Sequence, residues 1–130
     1  MKTHNKTSVL LVEDDIELRN TISESLKNVD YKVYAARKSV EALELFKKYD
    51  VDICVIDVET SGMDGFALSA QIRILNPDMP MIYLVSKGLF LNLLNDFEYG
   101  TDDYLTKPFS NEELLLRIKA SLRRVERNDP

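Results

Sequence analysis

Charged residues follow three separate apolar runs of the chain, each at the point where a strand should end: Glu13, Asp14, Asp57 and Lys107. Acids from two strand ends and an amine from a third converge only if the strands are parallel neighbours, because parallel strands end at one edge of a sheet. Such a group would suit a hard cation and a phosphoryl group.

The acids need a cation, because grouped carboxylates repel one another and raise one another's pKa. Oxygen-only ligation suits Mg²⁺, which keeps much of its hydration and commonly bridges protein to phosphate. A carboxylate beside Mg²⁺ is a competent nucleophile for a phosphoryl group, and Asp57 is the best-placed candidate. Lys107 would bring a compact positive charge to a phosphoryl oxygen.

Each residue also has an ordinary structural interpretation. The run Glu13-Asp14-Asp15 could cap the first helix, where acids complement the helix dipole. Asp57 could be a turn residue, with Gly62 and Gly65 in the same turn. The placement of all the charges at three strand ends favours the site, since independent turn and cap residues would not gather at one sheet edge.

Length and composition predict one globular domain. The chain has 130 residues, of which 45% are hydrophobic and 30% charged, a profile unlike that of a disordered protein. No apolar run approaches the roughly 20 residues of a membrane span, and the polar N-terminus lacks a secretory signal, so a cytoplasmic protein is expected. We expect a disordered tail at 1–7, the domain at 8–125, and a tail or linker start at 126–130.

The composition argues against several kinds of site. The single cysteine, Cys54, lies in an apolar run and is expected to be a buried thiol. With one histidine, His4, the chain has no zinc cluster and no basis for a histidine triad. A net charge of −5 argues against direct nucleic acid binding, although basic residues gather near the C-terminus.

Five β-rich runs alternate with five helical patterns, which predicts βαβ units and a doubly wound parallel sheet. The predicted strands are Ser8 to Val12, Tyr31 to Ala36, Val51 to Ile56, Met81 to Val85 and Asp103 to Thr106. Apolar residues recur at helical spacing between them, in stripes that can face the sheet: Leu18, Ile22, Leu26 and Val29; Val40, Leu43 and Phe46; Leu68, Ile72 and Leu75. The capping box that begins at Ser110 starts a last helix, with Leu115, Ile118, Leu122 and Val125 as its stripe.

These motifs together resemble the receiver domain of two-component response regulators, from Val9 to about Arg124. The resemblance rests on Leu11-Val12-Glu13-Asp14-Asp15, on Asp57 followed by Gly62-Met63-Asp64-Gly65, and on the run from Gly100 to Phe109 that contains Lys107-Pro108. It implies an α/β, flavodoxin-like fold with a five-stranded parallel sheet in the order 2-1-3-4-5, flanked by five helices.

By this resemblance, Asp57 would accept a phosphoryl group from the phosphohistidine of a partner histidine kinase. Asp14, Asp57 and the backbone carbonyl of Glu59 would bind Mg²⁺, with Glu13 assisting through water, and Lys107 would contact the phosphoryl oxygens. The domain would then be a signalling phosphoacceptor that takes part in its own phosphotransfer and slow dephosphorylation, and not an enzyme with an external substrate.

The chain departs from the family pattern at Val85, where the family usually has Thr or Ser. In the family that hydroxyl binds the phosphoryl group and moves inward as an aromatic residue at the Tyr104 position rotates. Valine fills the same volume but donates no hydrogen bond. Ser86 could replace the hydroxyl only if the strand has ended or bulged there, because adjacent strand residues point to opposite faces.

A second departure lies in the helix expected between the fourth and fifth strands, which begins with bulky apolar residues: Leu89, Phe90, Leu91 and Leu93. They are too many for one sheet-facing stripe. Either some of them form an exposed interface patch or a reshaped helix buries them. Receivers commonly dimerise or contact effectors on the surface around this helix and the last one.

Two rival functions compete with the switching receiver. A pseudo-receiver would keep the fold but signal through protein contacts without the phosphate, which Val85 and the apolar helix favour. A haloacid-dehalogenase-like phosphatase would use Asp57 as nucleophile and Glu59 as its acid/base, although Glu is a poor spatial match and the pair Glu13-Asp14 has no role in that scheme. Receivers with a run similar to residues 100–109 precede DNA-binding domains, and both a stand-alone regulator and a receiver followed by such a domain stay open.

Overall fold

The structure is a computed structural model that describes residues 6–59, 65–89 and 102–128. This part of the chain contains five strands and four helices: β1 (Ser8–Val12), α1 (Ile16–Asn28), β2 (Lys32–Ala36), α2 (Ser39–Lys48), β3 (Ile53–Asp57), α3 (Gly65–Leu75), β4 (Met81–Ser86), β5 (Asp102–Lys107) and α4 (Asn111–Asn128). Residues 87–89 are helical too, and the rest of the helix predicted between β4 and β5 lies outside the described residues. Each observed strand falls within two residues of its predicted bounds.

All five strands are parallel and lie in the order β2-β1-β3-β4-β5. The predicted doubly wound sheet is therefore confirmed. The register pairs Val12 with Ile56, Asp57 with Leu84, and Ser86 with Lys107, so the carboxyl ends of neighbouring strands lie side by side. Because β1 and β3 are central and covered on both faces, every residue of each is buried.

The core consists of two layers, one on each face of the sheet. One layer includes Ala42 of α2 and Leu68 of α3, and the other includes Ile22 of α1 and Ile118 of α4. Successive strand residues alternate between the layers, as the period of two requires. Cys54 is fully buried, which raises the pKa of its thiol to about 12 and confirms the expected inert core cysteine.

The predicted apolar stripes are correct at their centres and wrong at their outer members. Four residues expected to face the sheet are exposed by at least a third: Val29, Val40, Leu75 and Val125. All four lie at or near a helix end, where the covering layer stops, whereas the middle of each stripe packs on the core. Ile22, Leu26, Ile72 and Ile118 are accordingly buried.

Regular secondary structure continues almost to both ends of the described residues, and the domain bounds stay a prediction. The carbonyl of Thr7 accepts a hydrogen bond from Lys32 N at 2.8 Å, so pairing extends one residue into the expected tail. Helix α4 continues to Asn128 because polar residues beyond Val125 sustain helix as well as apolar ones do. At its start the Glu113 N–H donates to Ser110 Oγ at 3.1 Å, as a capping box requires. No helix in residues 6–59, 65–89 or 102–128 is both long and apolar enough to cross a bilayer.

Gly65 is required by a close approach and not by an unusual backbone angle. A Cβ atom built there would lie 2.9 Å from Val58 Cα, a backbone atom that cannot move aside cheaply. We expect Gly65→Ala to lower the free energy of unfolding by about 1 to 3 kcal/mol, measured by urea denaturation. Gly88→Ala is the matched control, because no atom lies within 4 Å of its added Cβ. Equal losses in both variants would contradict this explanation.

Candidate functional site

The candidate site is built on Asp57, the last residue of β3. Strand β3 lies between β1 and β4, so the ends of both neighbours flank this carboxylate. Only 2% of Asp57 is exposed to solvent. A buried carboxylate needs compensating partners, because loss of hydration disfavours its charged form.

Lys107 supplies the compensating charge. Its Nζ donates to Asp57 Oδ2 at 2.5 Å, across the end of β4, from the last position of β5. Burial alone would lower the pKa of Lys107, but the hydrogen bond and the carboxylates of Asp57 and Glu13 outweigh burial and raise it. The lysine therefore stays charged and faces the position that a group bound to Asp57 would occupy.

Glu13 is the second acid in contact with Asp57. It follows β1 directly, extends the pairing through its N–H to the Ala36 carbonyl at 2.9 Å, and is 2% exposed. Its Oε2 accepts a hydrogen bond from Asp15 N at 3.1 Å. Burial, followed by the hydrogen bond between its carboxyl and that of Asp57, raises the pKa of Glu13 to about 8.

The pair of acids is suited to hold a cation. Glu13 Oε1 is buried and has no hydrogen-bond donor among the described residues. Such an oxygen, next to a second carboxylate, is satisfied either by a proton or by a metal ion. In the described part of the chain no group of three or more His, Cys, Asp or Glu is arranged to hold a metal, and the predicted set of three acids stays a prediction.

The acidic run after β1 divides its roles between neighbouring residues. Asp15 caps α1, because its Oδ1 accepts hydrogen bonds from Glu17 N at 3.0 Å and Leu18 N at 3.2 Å. The ordinary capping interpretation is therefore correct for Asp15, while Glu13 points to Asp57. Asp14, between them, is half-buried.

Glu59 makes two contacts that the sequence did not predict. Its N–H donates to Asp57 Oδ1 at 2.9 Å, and its Oε1 accepts a hydrogen bond from Ser86 N at 2.7 Å. The sequence assigned a role only to its backbone carbonyl in a receiver and to its side chain as an acid/base in a phosphatase. The available signal was an acid two residues beyond a strand-ending carboxylate, within reach of the next strand end.

Val85 and Tyr104, two of the three expected switch residues, lie on the same face of the sheet. Val85 is fully buried in the layer that contains Tyr83, and Tyr104 packs against that layer, half-buried. Ser86 continues β4 in regular register with Lys107. Its Oγ accepts a hydrogen bond from Leu89 N at 3.2 Å, so the hydroxyl caps the short helical turn that follows.

Only one of the four interface candidates can be placed. Leu89 is half-buried and packs against the same core layer as Val85. Phe90, Leu91 and Leu93 lie outside the described residues. The interface therefore stays a prediction.

Comparisons with known proteins agree with this architecture. The family model for the response regulator receiver domain matches residues 9–119. The transcriptional regulatory protein RprY of Bacteroides fragilis is 41% identical over 120 residues, which cover 92% of this chain and 51% of that protein. The chain thus spans about half the length of the curated relatives it matches.

Solved structures share the fold. A CheY-like receiver domain from Methanospirillum hungatei has a TM-score of 0.82 at 25% identity, covering 95% of this chain and 98% of its own. The non-phosphorylated HemR receiver domain from Leptospira biflexa has a TM-score of 0.80 at 32% identity, covering 90% and 94%.

The raised pKa of Glu13 predicts a pH-dependent stability in metal-free buffer. Below its ordinary pKa of 4.5 the folded and unfolded chains both hold the proton, and between 4.5 and about 8 only the folded chain does. Stability should therefore fall as the pH rises through this window, by at most about 5 kcal/mol at about 1.4 kcal/mol for each pH unit.

Urea denaturation of wild type and Glu13→Gln at several pH values, with a chelator present, measures this contribution. The variant lacks the titrating carboxyl, so the gap between the two proteins should change between pH 4.5 and about 8. A gap that stays constant with pH would show that Glu13 keeps an ordinary pKa.

Proposed function

The chain belongs to the response regulator receiver domain family of two-component systems, and we propose that Asp57 is its phosphoacceptor. A sensor histidine kinase would be the phosphoryl donor. A carboxylate oxygen of Asp57 attacks the phosphorus, the P–N bond to the kinase histidine breaks, and the imidazole nitrogen leaves with the bonding electron pair.

The contact between Asp57 and Lys107 carries this proposal. It holds an ammonium group 2.5 Å from the nucleophilic carboxylate, at the edge where three strand ends meet. The same ammonium can bind the phosphoryl oxygens as charge spreads over them during transfer. The match to the receiver family over residues 9–119 favours a phosphoacceptor over the phosphatase alternative.

Mg²⁺ is the cofactor that these residues suit. Asp14, Asp57 and the Glu59 carbonyl would hold it, with Glu13 beside them, and the orphaned Glu13 Oε1 supports a cation at this position. When bound, the ion offsets the repulsion between the carboxylates and the incoming phosphoryl group.

The output of the domain is proposed to be a surface change, and not turnover of an external substrate. A homodimer or effector contact is proposed on the face formed by α4 and the helix predicted between β4 and β5. Many relatives named as transcriptional regulators are about twice as long, so DNA binding would belong to a further domain. A cytoplasmic location, without membrane or nucleic acid contact by this domain, stays a prediction.

A pseudo-receiver is the second candidate, and Val85 is the observation that favours it. The side chain is fully buried and carries no hydroxyl, so it cannot donate a hydrogen bond to a phosphoryl group. In that case the fold would signal through protein contacts alone.

Phosphorylation with acetyl phosphate and Mg²⁺ tests the acceptor directly. Wild type should gain about 80 Da, the mass of one phosphoryl group, and Asp57→Asn should gain nothing, measured by mass spectrometry of the intact protein. Asp78→Asn is the matched control, because Asp78 is exposed in the loop before β4, at the other edge of the sheet. An equal gain in Asp57→Asn would place the acceptor elsewhere.

Val85→Thr separates the switching receiver from the pseudo-receiver. In two-dimensional NMR, shifts of phosphorylated wild type that stay within the surroundings of Asp57 would support the pseudo-receiver. The variant should strengthen any response that reaches Tyr104, because it restores the hydroxyl. The variant should also lose about 1 to 3 kcal/mol of stability while that buried hydroxyl lacks a partner.

Val9→Thr is the control for the stability cost alone. It makes the same substitution at a fully buried position near the start of β1, away from the site. Long-range shifts already present in wild type would contradict the pseudo-receiver, and equal shifts in both variants would contradict the role of position 85.

A further inference from the structure

We propose that the Glu59 carboxylate is a displaceable internal anion, which occupies a phosphoryl-binding donor, the Ser86 N–H, until Asp57 is phosphorylated. This inference rests on the phosphoacceptor role proposed for Asp57. It gives the side chain of Glu59 a positioning role of its own, apart from the carbonyl that would bind a metal.

The end of the β3–β4 ladder explains why the Ser86 N–H needs an acceptor. The Val58 N–H donates to the Leu84 carbonyl at 3.2 Å, so the backbone of β4 at Leu84 faces β3. Backbone groups two residues apart on a parallel strand face the same neighbour, and Ser86 therefore faces β3 as well. Strand β3 ends at Asp57, so no strand carbonyl continues the ladder, and Glu59 Oε1 accepts this bond at 2.7 Å.

The donor lies at the edge that a phosphoryl group would occupy. Ser86 is the register partner of Lys107, whose Nζ binds Asp57 Oδ2. The Glu59 N–H binds the other carboxylate oxygen, Oδ1. Asp57 is thus bound by the Lys107 ammonium group at one oxygen and by the Glu59 backbone at the other. The negative charge of the Glu59 carboxylate also contributes to the raised pKa of Lys107.

A phosphoryl group on Asp57 would compete with Glu59 for these partners. It brings three acceptor oxygens and nearly two negative charges, which repel a nearby carboxylate and attract the same donors. Glu59 is exposed, so its side chain can turn into water and recover hydration when it leaves. The exchange costs little, because one charged acceptor replaces another on the Ser86 N–H.

Displacement would carry the signal without the hydroxyl that is missing at Val85. The hydrogen bond between Glu59 and Ser86 joins the segment after β3 to the end of β4, across 27 residues of sequence. Its loss on phosphorylation releases the Glu59 side chain from β4, while the Val58 N–H still binds the Leu84 carbonyl. The contact therefore works as a switch element built from a carboxylate and a backbone donor.

The test compares the rate of phosphorylation by acetyl phosphate, with Mg²⁺, in wild type, Glu59→Gln and Glu59→Ala. A carboxylate oxygen of Asp57 attacks the phosphorus, the P–O bond to acetate breaks, and acetate leaves with the electron pair. Alanine removes both charge and acceptor and should react about tenfold faster, the change expected from losing one charge-assisted competitor. Glutamine removes the charge but can still accept from the Ser86 N–H, so its rate should lie between the other two.

Glu24→Gln is the matched control for the loss of one negative charge. Glu24 is exposed in the second half of α1, whose C-terminal end lies at the opposite edge of the sheet. Its rate should equal that of wild type. Equal rates for Glu59→Gln and Glu59→Ala would overturn the proposal, because charge alone would then explain the effect, and so would unchanged rates in both.

The amide NMR signal of Ser86 is a second measurement, and phosphorylation would not change it through Glu59 if that side chain only stabilised the fold. The Ser86 amide signal should shift in unphosphorylated Glu59→Ala, and in wild type it should shift again when Asp57 is phosphorylated. A phosphorylated wild type in which this signal does not move would overturn the displacement alone. If no protein gains a phosphoryl group, the phosphoacceptor function fails first and the inference fails with it.

Discussion

The site depends on a buried carboxylate that is held against an ammonium group at the end of a parallel sheet. Asp57 is almost fully withdrawn from water, and removal of a charge from water is costly unless an opposite charge or hydrogen bonds replace the hydration. Lys107 and the Glu59 N–H provide that replacement. The arrangement keeps a nucleophile buried and oriented, which a carboxylate on an open surface would not be.

Parallel pairing is what makes this contact available. The residues that meet are separated by 50 positions along the chain, yet they lie at the ends of strands with only β4 between them. An antiparallel sheet would place successive strand ends at opposite edges and separate the charges. The helices between the strands are therefore necessary for the site, because each one returns the chain to the sheet edge at which the next parallel strand begins.

The chemistry lies at one edge of the sheet, and the residues of the expected switch lie on one of its faces. Glu13 follows β1, and Asp57 and Lys107 end β3 and β5, whereas Val85 and Tyr104 pack in one core layer. In this chain position 85 is a valine, which has no polar group that could connect a phosphoryl group on Asp57 to this layer. The contact from Glu59 to Ser86 offers a polar connection at the sheet edge instead.

The sequence by itself determined the elements and the residues that could react. Alternating apolar runs and helical stripes predicted the parallel sheet, because strands that are covered on both faces, such as β3, must be almost entirely apolar. The charged residues at the strand ends predicted one shared edge. Tertiary structure alone decided which acids met. Asp15 caps a helix while Glu13 faces Asp57, and Glu59 binds β4, because these outcomes depend on strand register and side-chain reach across the sheet. The exposed stripe ends, such as Val40, were likewise set by where the covering layer stops, a boundary that local periodicity does not contain.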